Sequence, residues 1–396
     1  MFAVKTSSRF RAFLLVAGVV LLAMNLRPTI TGVGPLIGLI SRATGLNTGW
    51  AGSLTTLPLL AFGLISPVAP GLVRRLGLER SLLLGLVILT IGTLIRSLGS
   101  VAMLLIGMFL VGSGVAIGNV LIPSLVKRDF PHRLGLMTGM YSTVMGVFAA
   151  FASGISVPLA IDTPLGWKGS LAIWSLVSLI GIIVWLPQVR YRQRLPTYTR
   201  LSLWRSPLAW QVTLFMGLQS FLFYVNVAWL PTLLHTLGMP LAAAGWMVSF
   251  MQLISLPGSF LMPIWASRRP DQRALMVITG ILFLVGYVGL LVAGITLAWL
   301  WIACIGFAGG ASISLALTYF SLRTKNSRDA TQLSGMAQSV GYFIAAIGPI
   351  SIGMLYHATN AWTIPLILLL ITSILMLAAG VPASRNLTVE VPEESA

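Results

Sequence analysis

The segment TGMYSTVMGVFAA, residues 138–150, recurs later in the chain as SGMAQSVGYFIAA, residues 334–346. The two copies lie 196 residues apart and share glycine, methionine, valine and two alanines at equivalent positions. The same offset pairs the small-residue run GSGVAIG (112–118) with AGGASIS (308–314). Self-similarity over this distance indicates two parallel repeats, each about half of the chain.

The composition excludes a soluble globular fold. Of the 396 residues, 57% are apolar and 8% are charged, whereas a soluble domain carries about 25% charged residues. The single cysteine, Cys304, excludes an intramolecular disulfide framework and a cysteine-based metal cluster. The three histidines lie at the ends of apolar runs and form no metal set, so the sequence predicts no cofactor.

Charge-free runs of about 20 residues are long enough to cross a bilayer. The first is interrupted by Arg27, and Gly, Pro and Asn punctuate turns within the longest ones. Basic residues precede the first run as in a signal peptide, but no small-residue cleavage site follows, so we expect an uncleaved first span. The pattern predicts an all-α polytopic membrane protein with twelve spans, near 12–39, 48–72, 81–99, 101–126, 134–160, 168–187, 208–233, 241–266, 274–294, 298–322, 331–356 and 361–380.

The basic residues are concentrated in alternate loops. The N-terminus, five of the loops and the C-terminal tail hold 21 of the 25 Lys and Arg. The positive-inside rule therefore places both termini in the cytoplasm. This asymmetry accounts for the net charge of +17 without a nucleic-acid partner, and it favours anionic lipids at the cytoplasmic face.

The longest basic connection divides the chain near its midpoint. It carries five arginines and joins two sets of six spans. The predicted organisation is a first half at 1–187, a cytoplasmic linker at 188–207, a second half at 208–384 and a cytoplasmic tail at 385–396.

Several segments carry a resemblance to a known family. The chain resembles the major facilitator superfamily, and within it the cyanate porter family; it looks closest to the 2-nitroimidazole transporter branch, with the cyanate permease a more distant relative. The segments are LRPTITGVGPL (26–36), LTTLPLLAFGLISPVAP (54–70), LERSLLLG (78–85), IRSL (95–98) and GNVLIPSLVKRDFP (118–131).

The resemblance implies a transporter whose substrate site lies between two six-helix halves, near the midplane. It implies that spans 1, 4, 7 and 10 line the cavity, with spans 2, 5, 8 and 11 beside them. The superfamily's loop between spans 2 and 3 normally carries an aspartate where this chain has Arg74. Both equivalent loops carry an Arg-x4-Arg pattern, so the candidate gating residues are Arg75, Gly77, Arg80, Arg268 and Arg273.

Arg27 is the leading site candidate because it lies near the middle of the first span. A charge at the bilayer centre costs between about 3 and 15 kcal/mol. All eight acidic residues fall in loops or the tail, so no carboxylate is available at that depth. The guanidinium could anchor an anion or a nitro group. Alternatively, it could satisfy carbonyl groups that Pro28 frees.

Other polar residues on the lining spans complete the candidate site. The predicted substrate-binding set is Arg27, Asn25, Thr29, Asn119, Tyr141, Asn226, Gln338 and Tyr342. Asn119 faces a groove of glycines that is also typical of close helix packing. Arg96, at the outer end of span 3, is expected to extend to the membrane interface.

The predicted function is secondary transport of a small anionic or electronegative solute, such as cyanate or a 2-nitroimidazole, by rocker-switch alternating access. We expect a monomer in the cell (inner) membrane. The spans show no pair of residues suited to catalysis, so the chain is not expected to be an enzyme. Two alternatives remain: efflux of neutral small molecules with Arg27 structural, and a membrane sensor that transports nothing.

Overall fold

The computed structural model describes residues 2–45, 48–190 and 203–389. All regular structure in these ranges is helical. The helices up to the predicted midpoint are α1 (Phe2–Leu26), α2 (Pro28–Thr31), α3 (Ile37–Thr44), α4 (Thr48–Ile65), α5 (Ala69–Leu76), α6 (Leu78–Arg96), α7 (Val101–Asp129), α8 (Leu134–Ile161), α9 (Gly166–Ala172) and α10 (Trp174–Trp185). The remaining helices are α11 (Pro207–Thr236), α12 (Leu241–Ser267), α13 (Arg273–Ala293), α14 (Ala298–Leu322), α15 (Ser327–Thr359) and α16 (Thr363–Ala383).

The number of spans agrees with the sequence prediction. Within the described ranges, eleven segments are long and apolar enough to cross a membrane, and a bent pair raises the number to twelve. The bent pair is Thr56–Ile65 with Ala69–Leu76, at an angle of 53°. Pro67 lies in the break between them, where its missing N–H and fixed φ interrupt the helical hydrogen bonds. The second predicted span is therefore a bent one.

The sequence predicts one long first helix in which Arg27 interrupts the apolar run, whereas in the structure the helix itself is broken at Arg27. Helix α1 ends at Leu26, α2 is a single turn, and a 3₁₀ turn at Gly34–Leu36 precedes α3. Pro28 and Pro35 each remove a backbone donor from this stretch. The sixth span is also divided, between α9 and α10 at Ile173, although the sequence predicts one continuous helix there.

The described residues group into two compact units. The first contains Met1–Ile122 and Val144–Thr197, and the second contains Pro123–Thr143 and Tyr198–Ala396. The ends of α7 and α8 that meet at 123–143 thus belong with the second unit. The division into halves at 1–187 and 208–384 stays a prediction. Most of its linker and tail, residues 191–202 and 390–396, lies outside the described ranges.

In the first unit, glycines let α7 pack closely on three neighbours. A Cβ at Gly112 would lie 2.8 Å from Cα of Pro58 on α4. One at Gly114 would lie 2.5 Å from the Gly85 carbonyl oxygen on α6, and one at Gly118 would lie 2.6 Å from Leu26 on α1. Such small-residue contacts bring helix backbones together in membranes. The predicted glycine groove is therefore filled by neighbouring helices.

In the second unit, glycines of α14 likewise allow close packing, here on α12. Gly310 lies against the backbone of Ser255 on α12, and Gly306 lies against the backbone of Met251. Gly310 is the repeat partner of Gly114 at the offset of 196. The repeated small-residue run in the sequence thus marks the tightly packed helix in each unit.

Candidate functional site

Arg27 lies at the break in the first span, between α1 and α2. Its backbone φ of −117° and ψ of −40° depart from the regular helix. Its carbonyl oxygen accepts hydrogen bonds from the amides of Ile30 and Thr31, both at 2.9 Å. The Arg27 side chain is partly exposed, whereas Pro28 and Thr29 are buried. At the break, the side chain of Arg27 is therefore accessible while the two residues that follow it are not.

Arg96 is fully buried, at 0% exposure, so the prediction that it extends to the interface was wrong. Its Nη1 donates to the carbonyl oxygen of Thr29 in the broken first span and lies 3.5 Å from Sδ of Met108. Its Nη2 donates to the carbonyl oxygen of Leu171 at 3.4 Å. Carbonyl groups released where a helix is interrupted are acceptors for a buried guanidinium, which has five N–H donors.

The structure places Asn25 and Thr29 in the internal hydrogen bonding of the first unit. The Asn25 amide donates to the carbonyl oxygens of Leu21, at 2.7 Å, and Val177, at 3.4 Å. The Thr29 hydroxyl donates to the Asn25 carbonyl oxygen at 3.2 Å. Both residues are buried, and these side chains stabilise the helix around Arg27.

Asn119 follows a residue of α7 that contacts α1 in the first unit. The preceding residue, Gly118, packs on Leu26, which precedes Arg27. Asn119 itself is 8% exposed. The contact between α7 and α1 therefore brings together the neighbourhoods of these two predicted site residues.

Two candidates in the second unit have buried polar atoms without a hydrogen-bond partner among the described residues. These atoms are the hydroxyl of Tyr141, which is 1% exposed, and Oε1 of Gln338, whose amide nitrogen donates to Ser334 Oγ at 2.8 Å. A buried polar atom left unpaired carries a free-energy cost unless a water or a ligand satisfies it. Tyr141 and Gln338 can therefore still accept a ligand contact.

The other two candidates in the second unit pack against neighbouring side chains. Asn226 donates through its amide to the hydroxyl of Tyr287 on α13, at 2.7 Å. The ring of Tyr342 lies 6.5 Å from that of Tyr224, edge to face. Asn226 therefore uses its amide within the protein, and Tyr342 belongs to an aromatic cluster of α11 and α15.

The loop candidates of the first unit lie around a glycine with a positive φ. Gly77 has a φ of +88° where α5 ends and α6 begins. Side chains with a Cβ rarely adopt this conformation, so a glycine is required at this turn. Arg75 and Arg80 on either side are exposed.

The loop candidates of the second unit are also at the surface. Arg268 is exposed, and Arg273 pairs with Asp271 at 2.7 Å between Nη2 and Oδ2. The hydrogen bonds from Arg273 hold the pKa of the Asp271 carboxyl below its ordinary value.

A contact that the sequence analysis missed lies within the second unit, between the end of α7 and the connection from α14 to α15. Lys127 Nζ donates to the Ser321 carbonyl oxygen at 2.6 Å, to Thr324 Oγ1 at 3.0 Å and to the Thr324 carbonyl oxygen. Ser124 Oγ donates to the Ser327 carbonyl oxygen at 2.6 Å. In the sequence, the basic run containing Lys127 indicates only the membrane topology. Neighbouring residues in the chain do not indicate that Lys127 contacts Ser321 and Thr324.

The sequence profile of the Major Facilitator Superfamily matches residues 12–349. The chain belongs to the Major Facilitator Superfamily. It is a multi-pass transporter of small solutes in the inner membrane, as predicted. Among the described residues, no group of three or more His, Cys, Asp or Glu could hold a metal ion.

Curated relatives agree with this membership and with the resemblance seen in the sequence. The chain is 48% identical over 384 residues to the uncharacterized transporter YycB of Bacillus subtilis (strain 168), covering 96% of each chain. It is 43% identical to the 2-nitroimidazole transporter of Escherichia coli (strain K12), covering 94% of this chain and 95% of the relative. It is 28% identical to the cyanate transport protein CynX of the same organism, covering 85% and 88%.

A solved structure supports the fold. The proton:xylose symporter XylE, a major facilitator protein, superposes with a TM-score of 0.76 at 14% identity, covering 95% of this chain and 97% of that one. At this identity the likeness concerns the fold alone.

Proposed function

We propose that the protein is a secondary transporter of a small anionic or electronegative solute, with Arg27 as the anchor for that solute within the membrane. The solute class is a cyanate-like anion or a 2-nitroimidazole-like compound. Transport proceeds by rocker-switch alternating access of residues 1–187 against 208–384.

The observation that carries the proposal is the position of Arg27 at the break in the first span. Arg96 donates to the Thr29 carbonyl oxygen in the broken segment. A charge in the middle of a span is costly and is functional by default. Arg27 is partly exposed, so a solute could reach its guanidinium.

The chemistry of the guanidinium supports the solute class. It is planar and presents several N–H donors, which suit oxygen or nitrogen atoms that share negative charge. The relatives named for 2-nitroimidazole and for cyanate handle solutes with such atoms. A transporter for organic cations would instead need an acidic side chain, and the predicted spans contain none.

A ligand screen tests the proposal. Thermal unfolding of the purified protein in detergent would be followed with cyanate, nitrate, small carboxylates, 2-nitroimidazole and neutral azoles, for wild type and Arg27→Gln. A ligand at 100 times its Kd adds about 2.7 kcal/mol of stability. We expect one electronegative ligand to stabilise wild type and not the variant. Equal stabilisation of both proteins by a neutral azole would contradict the role of Arg27.

The rocking motion leads to a prediction about Lys127. Its ammonium caps carbonyl groups around the C-terminal end of α14, where a positive charge contributes about 1 kcal/mol. These contacts join a segment of the predicted first half to the predicted second half. When the two halves rock apart at the membrane face where Lys127 lies, the contacts must break. We expect Lys127→Met to raise the equilibrium constant for opening at this face by about fivefold.

Labelling of an introduced cysteine measures this shift. Thr138→Cys in a Cys304→Ser background places a thiol at a position that is now buried, in α8 of the second unit. A maleimide should label it about fivefold faster in Lys127→Met than in the parent. Arg133→Met, which alters an exposed arginine in the same loop, is the control. Equal labelling in all three proteins would show that Lys127 does not hold this contact closed.

A further inference from the structure

The buried arginine at the end of α6 has a geometry that topology and lipid anchoring do not explain. Arg96 is completely buried, and its two terminal nitrogens donate to carbonyl oxygens of different helices. One acceptor is Thr29 in the broken first span, and the other is Leu171, two residues before the break in the sixth span. A planar guanidinium can serve two such acceptors together, which the single ammonium of a lysine does less well.

The hydrogen bonding of the first span shows why Thr29 needs this partner. In a continuous helix the Thr29 carbonyl would accept the amide of Val33. Here the Val33 amide donates to the Ile30 carbonyl oxygen instead, at 3.2 Å. The Thr29 carbonyl therefore loses its helical donor in a residue that is 0% exposed. A buried carbonyl without a donor is unfavourable, and Arg96 supplies the donor.

A glycine on α7 allows close packing against the backbone of Arg96. A Cβ on Gly107 of α7 would overlap the backbone nitrogen and the Cβ of Arg96. Because Gly107 has no side chain, α7 can pack directly against the backbone and Cβ of Arg96. Met108, the next residue, lies beside Nη1 of Arg96. The guanidinium is thus enclosed by protein on the route to Thr29.

We infer that Arg96 is a positioning residue that holds the first span in its broken conformation. Its guanidinium stabilises the state in which the Thr29 carbonyl is released from the helix. Without it, the favoured way to satisfy that carbonyl is to continue the helix through Val33, which changes the direction of Arg27. The consequence for substrate binding rests on the proposed function of Arg27, whereas the effect on the helix does not.

A distance measurement across the break tests the inference directly. Spin labels at Val20→Cys and Gly38→Cys, in a Cys304→Ser background, lie on either side of it. In a continuous helix these Cα atoms would be about 27 Å apart. We expect Arg96→Gln to move the distance distribution toward that value, and Arg96→Lys, which keeps a donor, to restore most of the wild-type distribution.

Thr90→Val is the matched control for loss of a buried hydrogen bond in α6. Thr90 donates to Ser178 Oγ at 2.8 Å, and within the described ranges it has no hydrogen bond to the first span. We expect this variant to lower stability without changing the label distance. An unchanged distance in a folded Arg96→Gln protein, or an equal change in Thr90→Val, would overturn the inference.

Ligand binding provides a second readout with 2-nitroimidazole and cyanate as probes. We expect Arg96→Gln to raise the dissociation constant of the bound probe about tenfold or more, and the double variant with Arg27→Gln to bind no more weakly than Arg27→Gln alone. Additive losses in the double variant would overturn action through Arg27. If Arg27→Gln binds both probes normally, the proposed function fails, and the label distance alone decides the role of Arg96.

Discussion

Arg27→Gln is expected to abolish transport in a protein that is still folded and inserted in the membrane. Removing one partner of a buried, hydrogen-bonded charge pair costs about 2–5 kcal/mol, which corresponds to about 30- to 4,000-fold in solute affinity. Glutamine keeps much of the side-chain length and two donors but carries no charge. The measurement is uptake of labelled 2-nitroimidazole and of cyanate into liposomes that contain the purified protein.

Two further variants separate the charge from its geometry. Arg27→Lys keeps the charge without the planar fork, and we expect it to retain a small part of the activity. Arg42→Gln removes an exposed arginine from α3 of the same span and should transport normally. Normal uptake by a well-expressed Arg27→Gln protein would end the idea that Arg27 anchors the solute.

The second large effect concerns stability and uses two adjacent glycines. We expect Gly310→Ala to lower the free energy of unfolding by about 1–3 kcal/mol. A Cβ at Gly310 would overlap the carbonyl oxygen of Ser255, a backbone atom that cannot move aside as a flexible side chain could. Helices α12 and α14 would have to separate along their contact.

Gly309→Ala is the control for this substitution. A Cβ at Gly309 meets nothing within 4 Å, and alanine is favoured over glycine in a helix by about 1 kcal/mol. We therefore expect Gly309→Ala to leave the unfolding temperature unchanged or to raise it. Denaturation in detergent, followed by circular dichroism, compares the two variants. Equal unfolding temperatures would contradict the packing described for α14.

Part of the fold could be predicted because its signals are local. Each span is a run of apolar residues whose transfer to lipid adds up along the chain, so hydropathy alone locates it. The charge at Arg27 and the missing backbone donor at Pro28 are also visible in the sequence. The bend at Pro67 has the same kind of cause, but a single charge-free run across 43–73 concealed it.

The candidate site was predicted less completely because its geometry depends on partners. Asn226 was selected as a polar residue on a lining span, yet its amide contacts Tyr287, a residue 61 positions away. Tyr141 and Gln338 kept unpaired buried atoms within the described ranges, which no spacing in the sequence could indicate. Polarity within a span is visible in the sequence, but the direction of a side chain follows from helix packing.

By itself, the sequence determined the membrane class, the number of spans, the internal repeat and the family, because composition and hydropathy act residue by residue. Only the tertiary structure decided which arginine stabilises the broken helix. Arg96 is 67 residues from Thr29 and 75 from Leu171, and its position near the end of a span resembles that of an interface anchor. Three helices must pack before those carbonyl groups and that guanidinium meet, so the assignment depends on contacts between segments that are distant in the chain.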